Sequence, residues 1–251
     1  MYKQERYDRI LSILQLRGSA TVKYLVDALY VSPATVRRDL QALSEQGLVH
    51  HYYGGVTLIQ DTSKAPPIEL RHQENHSVKQ QIGQKALSVI SDGDCLFIDA
   101  SSTCLCMVSG LHRFNNLTVV TNSHLVLEAL TDMKITVYST GGKLFRHSMA
   151  YTGPIAEACL QSLQFDKCFF SCQSVSEDGN LFDGGEAENQ IHRLVMQQRG
   201  TRILLCDQRK FCRISMFKLG HISALDYIIS DADFYGSIRK PEGHAPVFVQ
   251  A

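Results

Sequence analysis

Val31-Ser32-Pro33-Ala34-Thr35-Val36-Arg37-Arg38-Asp39-Leu40 is the stretch on which the reading of this chain turns. Serine followed by proline starts a helix. The Ser32 hydroxyl caps the first turn, and Pro33 sits at the first helical position, where an N–H would lack a partner anyway. Val36, Leu40 and Leu43 then recur at helical spacing and predict an inward face. That leaves Ala34, Thr35, Arg37, Arg38 and Gln41 outward, near the N-terminal end of the helix. Recognition helices offer this end to the major groove of DNA. There arginine can bond guanine through two hydrogen bonds, while hydroxyls such as those of Ser32 and Thr35 and backbone N–H groups hold phosphates.

The flanking residues support that role. Residues 3–17 place Tyr7, Ile10, Leu11 and Leu14 on one helical face, and Gly18 is a stop signal. Thr21 caps a second short helix carrying Leu25, Ala28 and Leu29, and Tyr30-Val31 makes the tight turn. Gly47 closes the third helix, and residues 48–56 predict a two-stranded ribbon turning near Gly54 and Gly55. His51 and Tyr53 on this ribbon are expected at the DNA backbone. Two arginines alone would suit a solvated helix face. A cap, a turn and a wing around them make a winged helix-turn-helix.

Charge does not announce nucleic acid, since 25 Lys and Arg balance 25 Asp and Glu. Residues 1–58 hold seven basic against five acidic residues, so placement carries the DNA argument rather than bulk charge. A hydrophobic fraction of 44% supports a packed core. No apolar run approaches the roughly 20 residues of a membrane span, and Met1–Arg6 is charged, unlike a signal peptide. A cytoplasmic protein is expected. The eight cysteines form no Cys-x-x-Cys pair and lack zinc-finger spacing to histidine, so buried free thiols are expected, with no metal or cofactor. A thiol sensor built on Cys104 and Cys106 is a lesser alternative.

From residue 59 to 75 periodicity fails, and Asp61-Thr62-Ser63-Lys64-Ala65-Pro66-Pro67 is rich in turn formers. The expected organisation is a DNA-binding domain over 1–58, a linker over 59–75, and a second domain over 76–251. In the second domain short apolar runs alternate with helical patterns. The runs begin at Cys95, Leu117, Ile135, Lys167, Ile203, Tyr227 and Val247; helices are expected over 79–90, 103–112, 123–132, 152–163 and 186–199. This is an α/β pattern, with a mostly parallel sheet covered on both faces.

In such sheets the loops after the strands share one crevice. Asp99 to Thr103 follows a strand and opens a helix, which suits an anion; Ser101, Ser102 and Thr103 are donors for phosphate. Asn122, Gly142 and Asp207 to Lys210 follow other strands. Arg146 and Lys210 would supply charge, and Asn122 and Asp207 hydrogen bonds to hydroxyls.

The chain also resembles DeoR-family (GlpR-like) repressors. The resemblance rests on "V-S-x-x-T-V-R-R-D-L-x-x-L", "E-x-G-L-V" and the "G-G" wing, and then on Arg71, Asn75 and Lys79 spaced by four. It continues through Asp99-Ala-Ser-Ser-Thr103, Thr121-Asn-Ser123, Gly141-Gly142 with Arg146, Glu186-Ala187, Asp207-x-x-Lys210-Phe211 and Ile229-Ser-Asp231 in family order. The resemblance implies a repressor of carbohydrate-metabolism genes. Its C-terminal domain would be similar to ribose-5-phosphate isomerase and CoA transferase folds and would sense a phosphorylated sugar. On that reading Lys79 and Glu186 join the effector residues, and the partners are double-stranded operator DNA and further copies of the chain. This sequence departs from the pattern at Ser101 for glycine, Gln190 for lysine, Gln208-Arg209 for a serine pair, and Phe170-Ser-Cys-Gln173 for a glycine-rich stretch. The competing reading is an isomerase or deaminase carrying a DNA-binding arm, with Asp99, Asp183 or Glu186 as general base. No acid–base pair is legible, so no enzyme is expected.

Overall fold

The computed structural model describes residues 2–17, 19–45, 48–52, 55–58 and 68–251. The chain divides into two compact units, Met1–Lys64 and Ala65–Ala251.

The first unit runs α1 (Lys3–Arg17), β1 (Ser19–Thr21), α2 (Val22–Leu29), α3 (Pro33–Glu45), β2 (Val49–Tyr52) and β3 (Gly55–Leu58). Both caps form as the sequence predicts: Thr21 Oγ1 accepts from Tyr24 N at 3.1 Å, and Ser32 Oγ accepts from Thr35 N at 3.2 Å. Ile10, Leu14, Leu25, Leu29, Val36, Leu40, Leu43, Val49 and Val56 make the core. The wing has three strands rather than two. β1 pairs antiparallel with β3, opposite the β2–β3 ribbon, because Ser19–Thr21 is extended before the Thr21 cap. Gly18, Gly47, Tyr53 and Gly54 lie outside the described residues, as do 59–67 of the expected linker.

The second unit starts before residue 76. Residues 68–73, read as linker, are helical: α4 (Ile68–Gln73) is anchored by Ile68, which is 1% exposed and whose N–H donates to His147 O at 2.9 Å. The two prolines before it hid an apolar anchor. There follow α5 (His76–Ala86), β4 (Cys95–Ile98), α6 (Ser102–Leu105), β5 (Thr118–Thr121), α7 (His124–Leu130), β6 (Thr136–Ser139), β7 (Lys143–Phe145), β8 (Ala150–Thr152) and α8 (Pro154–Ser162). Then come β9 (Lys167–Phe170), β10 (Ser174–Val175), β11 (Asn180–Asp183), α9 (Glu186–Met196), β12 (Thr201–Leu205), β13 (Phe217–His221), β14 (Tyr227–Ser230), α10 (Phe234–Ser237) and β15 (Val247–Gln250). The helices expected over 79–90 and 103–112 each give way to a 3₁₀ turn, at Leu87–Val89 and Val108–Arg113.

All seven apolar runs enter one sheet of order β15-β14-β12-β9-β4-β5-β6, in which every neighbouring pair is parallel. Strand alternation divides the core into two layers. Phe97, Val120, Cys168, Phe170, Leu204 and Ile228 face one side with α8 and α9. Leu96, Ile98, Val119, Phe169, Ile203, Leu205 and Ile229 face the other with α5, α6 and α7. A separate antiparallel sheet of order β10-β11-β13 and the β7–β8 hairpin escape sequence reading, because their strands are short and mixed in polarity. Among the described residues no helix is long and apolar enough to cross a membrane.

From β4 the chain runs outward through β5 and β6 on one side; from β9 it runs through β12, β14 and β15 on the other. The strand order therefore reverses between β4 and β9, and the crevice for a ligand in such sheets opens outside their carboxyl ends. One close approach sets its wall. A Cβ added at Gly83 on α5 would lie 2.7 Å from the Cys106 carbonyl carbon and 2.8 Å from Met107 N. These are backbone atoms that cannot swing aside. Gly83→Ala is expected to push α5 from α6 and to cost about 1–3 kcal/mol in urea unfolding.

Candidate functional site

Arg37, Arg38, Ala34 and Gln41 are exposed on α3, opposite the buried Val36, Leu40 and Leu43, and Thr35 is half-buried. Among the described residues neither Arg37 nor Arg38 makes a hydrogen bond or ion pair, so both guanidinium groups are available. Gln41 bonds Glu45 at 3.1 Å along the same face, and the Ser32 and Thr35 hydroxyls bond each other at 2.9 Å. His51 is placed by its backbone in β2 alone.

Two features of this face were not legible. Asp39, within the motif, is 2% exposed and receives Arg6 of α1 through two hydrogen bonds of 2.6 and 2.9 Å, which fix the roll of α3. Tyr30 occupies the left-handed region at φ 55° and is 91% exposed on the turn before α3. A bulky residue there is strained, and strain of this kind gathers at functional positions.

In the second unit, the loops after β4, β5, β6 and β12 carry expected residues, and the loop after β9 joins them. Asp99 is fully buried directly after β4. Its Oδ1 accepts from Ser101 N at 3.0 Å and from Ser101 Oγ at 2.6 Å; its Oδ2 accepts from Ser171 N at 2.9 Å. That last bond crosses the switch point from β9 to β4. His192 of α9 adds Nε2 to Asp99 Oδ2 at 3.2 Å and Nδ1 to Asp183 Oδ2 at 3.0 Å, and Asn189 supports Asp183 at 3.2 Å. Burial alone would strip the charge from His192. The two carboxylates outweigh it, Asp183 foremost, and hold the imidazolium well above its ordinary titration range. Burial likewise disfavours the Asp99 carboxylate, but His192 outweighs it and keeps that group below its usual value.

Ser101 is consumed as a cap, its Oγ accepting from Cys104 N at 3.1 Å. That answers one departure from the family pattern: serine at the expected glycine fastens the loop to Asp99 and to α6. Ser102 and Thr103 are buried in the first turn of α6, where backbone N–H groups have no helical partner. Lys79 of α5 is buried and donates to Arg71 O. Burial, reinforced by Lys210, lowers its pKa to about 8. Lys210 donates to Ser171 Oγ at 2.7 Å and to Cys172 O at 2.8 Å. Burial opposes its charge, but Asp207 outweighs that and raises its pKa. Asp207 caps the turn after β12 through Arg209 N at 3.1 Å, and Asn75, its amide oxygen facing Arg209, accepts from Nε at 2.6 Å. Arg71, Asn75 and Lys79, four residues apart, thus meet the Asp207–Lys210 turn.

Four buried polar groups nearby lack a hydrogen-bond partner: Arg71 through Nε and Nη2, Thr103 Oγ1, Asn122 Oδ1 and Ser148 Oγ. Arg71 Nη2 comes no closer than 4.0 Å to Glu188 Oε1. Each such atom costs about 1–3 kcal/mol unless something fills the gap. They comprise donors on α4 and α6, a hydroxyl on the β7–β8 hairpin and an amide oxygen after β5. Asn122 is tied in through its own carbonyl, which accepts from Tyr151 N at 2.7 Å.

Three expected residues stand differently. Glu186 is exposed at the start of α9, and Glu188 is the acid on that helix that approaches Arg71. Arg146 is exposed on the β7–β8 hairpin, while Ser148 beside it is buried. Gly142 is exposed at φ +105°, where a Cβ would lie 2.7 Å from Thr152 O, so its glycine serves close backbone approach. Sequence reasoning missed His192, Ser148 and Ser171 entirely. The signal at Arg71 and Asn75 was in the four-residue spacing.

Residues 6–62 match the DeoR-like helix-turn-helix domain, and residues 74–232 match the DeoR C terminal sensor domain. A DNA-binding transcription regulator with its own sensor domain is therefore the class of this protein. The chain belongs to the DeoR family. The L-fucose operon activator of Escherichia coli (strain K12) is 32% identical over 232 residues, 91% of this chain and 95% of the relative. The lactose phosphotransferase system repressor of Lactococcus lactis subsp. lactis is 32% identical over 238 residues, 92% of each chain. Ribose 5-phosphate isomerase A of Methanocaldococcus jannaschii aligns at a TM-score of 0.41 and 16% identity over 55% of each chain.

Proposed function

We propose that this regulator is a cytoplasmic repressor of carbohydrate-metabolism genes, released from its operator by a phosphorylated sugar. The observation that carries the sensor reading is the group of unpartnered buried donors and one acceptor beside Lys79 and Lys210 at the switch point of the sheet. A phosphate would take the Arg71 guanidinium, the Thr103 and Ser148 hydroxyls, the free N–H groups of α6 and the Lys79 charge. Asn122 Oδ1, an acceptor, would receive a sugar hydroxyl. Asp99 and Ser101 act behind this layer, holding the loop. Arg146, Gly142 and Glu186 lie at its margin.

The effector acts by preferring the conformation that binds DNA weakly, and its differential affinity sets the shift. On the DNA side we assign Arg37, Arg38, Ala34 and Gln41 to base edges. Ser32, Thr35, His51 and Tyr53 go to the backbone, with Tyr30 added from its exposure. One winged helix covers few base pairs, so paired half-sites and a homo-oligomer are part of the reading.

The test is gel retardation of the chain's own promoter region with and without hexose, pentose and hexitol phosphates. Retardation that resists competitor DNA and is relieved by one phosphate class supports the reading. No specific retardation at micromolar protein would sink it. A second measurement reports on the anion site. Because Lys79 loses its charge near pH 8, affinity for the phosphate is expected to hold up to that pH. It should then fall by up to about tenfold per unit above it. Lys79→Arg is expected to keep affinity level across that range, and a wild-type profile level to pH 10 would remove Lys79 from the site.

The enzymatic reading fares poorly on geometry. Both nitrogens of His192 are engaged by carboxylates, and both Asp99 oxygens already accept hydrogen bonds. Neither is left to move a proton on a substrate.

A further inference from the structure

The sequence offers no zinc-finger spacing, yet the fold gathers two histidines and a thiol that the effector reading does not use. His72 near the end of α4, His76 at the start of α5 and Cys106 just after α6 bring their ligand atoms within 4.8 Å of one another. The histidine rings meet edge to face at 4.7 Å between centroids. We infer that His72, His76 and Cys106 form a binding site for one thiophilic transition-metal ion of the Zn²⁺ type.

The donors are two imidazoles and one thiol, a set that favours zinc and its neighbours over Mg²⁺ or Ca²⁺. The tautomers are arranged for it. His76 Nδ1 lies 3.2 Å from the His72 carbonyl oxygen, which can only accept, so Nδ1 carries the proton and Nε2 keeps its lone pair. Ligating histidines characteristically donate their other N–H in this way. His72 Nδ1 is buried and has no hydrogen-bond partner. That is an unexplained cost in a protein without a ligand there, and an explained one if the nitrogen binds a metal.

Cys106 Sγ spends its proton on the Ser102 carbonyl at 3.3 Å. On metal binding this proton passes to solvent and the thiolate turns to the ion; no electron transfer is involved. Tetrahedral zinc with two nitrogens and one sulfur holds its donors roughly 3.3–3.6 Å apart, so from separations of at most 4.8 Å the group must close by about 1.5 Å at most. Three protein donors leave a fourth position for water. The ion would tie α4 and α5 to the end of α6, the helix whose first turn carries Ser102 and Thr103.

The experiment is a titration of the full-length, chelator-treated protein with Co²⁺, a spectroscopic stand-in for Zn²⁺. One equivalent is expected to produce a thiolate-to-cobalt charge-transfer absorption and tetrahedral ligand-field bands, both abolished by added Zn²⁺. Cys106→Ser is expected to remove the charge-transfer absorption, while Cys212→Ser, at an exposed thiol, leaves it unchanged. His72→Gln and His76→Gln alter part-exposed side chains and should each weaken Co²⁺ binding about tenfold or more. They carry the test should Cys106→Ser fold poorly. Absence of the thiolate band at stoichiometric Co²⁺, its persistence in Cys106→Ser, or unchanged affinity in both histidine variants would overturn the site. None of these residues is assigned to the phosphate, so its failure leaves the effector reading intact, and the reverse also holds.

Discussion

Asp99→Ala is expected to cost the sensor unit about 3–5 kcal/mol, the range for breaking a buried ion pair by removing one partner. Asp99 is fully buried and holds four donors: two from Ser101, the Ser171 N–H across the sheet's midline, and His192. Its loss strands all four and leaves the His192 imidazolium with Asp183 alone. Hydrogen exchange of peptides covering β4 and β9 is the suitable readout, since the damage is centred where those strands lie side by side. A loss under 1 kcal/mol would mean that the donors find other partners and that this carboxylate organises nothing.

The same cluster gives the unit a pH signature. His192 titrates higher folded than unfolded, so its stabilisation is complete below its ordinary value of 6.5 and drains away as pH rises towards the folded value. Asp99 behaves oppositely: its contribution is present above 3.8 and is lost on acidification below it. The difference in unfolding free energy between wild type and His192→Gln should therefore be level from about pH 4.5 to 6 and shrink above 6.5. A difference that does not change between pH 6 and 9 would refute the charged-histidine assignment.

The second large effect concerns DNA. Arg38→Ala is expected to weaken operator binding by about 1–3 kcal/mol, roughly 5- to 150-fold, if its guanidinium reads a base. Binding to unrelated sequence should change far less. Titration of the variant against operator and random duplexes at one salt concentration separates the two cases. Equal weakening on both, with a shallower salt dependence, would make Arg38 a phosphate contact. Arg37 is the natural comparison, since it sits on the same exposed surface beside it.

Much of the architecture was written in periodicity. Seven apolar runs became the seven strands of one parallel sheet, because each strand is buried on both faces and reads as continuous hydrophobicity. Ser32 and Thr21 announced their helices, since a cap is a local event. What stayed hidden was non-local. His192 sits on a helix with ordinary amphipathic spacing, and its partner Asp99 is 93 residues away. Ser148 and Ser171 gain meaning only when the hairpin and β9 fold against other loops. Residues 68–73 were obscured by the prolines before them, although Ile68 and Arg71 are respectively an anchor and a half-buried cation. At the candidate site, Asp99 and Ser101 brace the loop after β4 through bonds to each other, to Ser171 and to the first turn of α6, partners that sequence spacing does not reveal.

Arg71 stands only 13 residues after Leu58, the last residue of the DNA-reading unit's final strand. The helix that bears it is the first described element of the second unit. A small molecule that grips this guanidinium would therefore act on the opening helix of the sensor unit, within a short sequence distance of the last described strand of the DNA-reading unit.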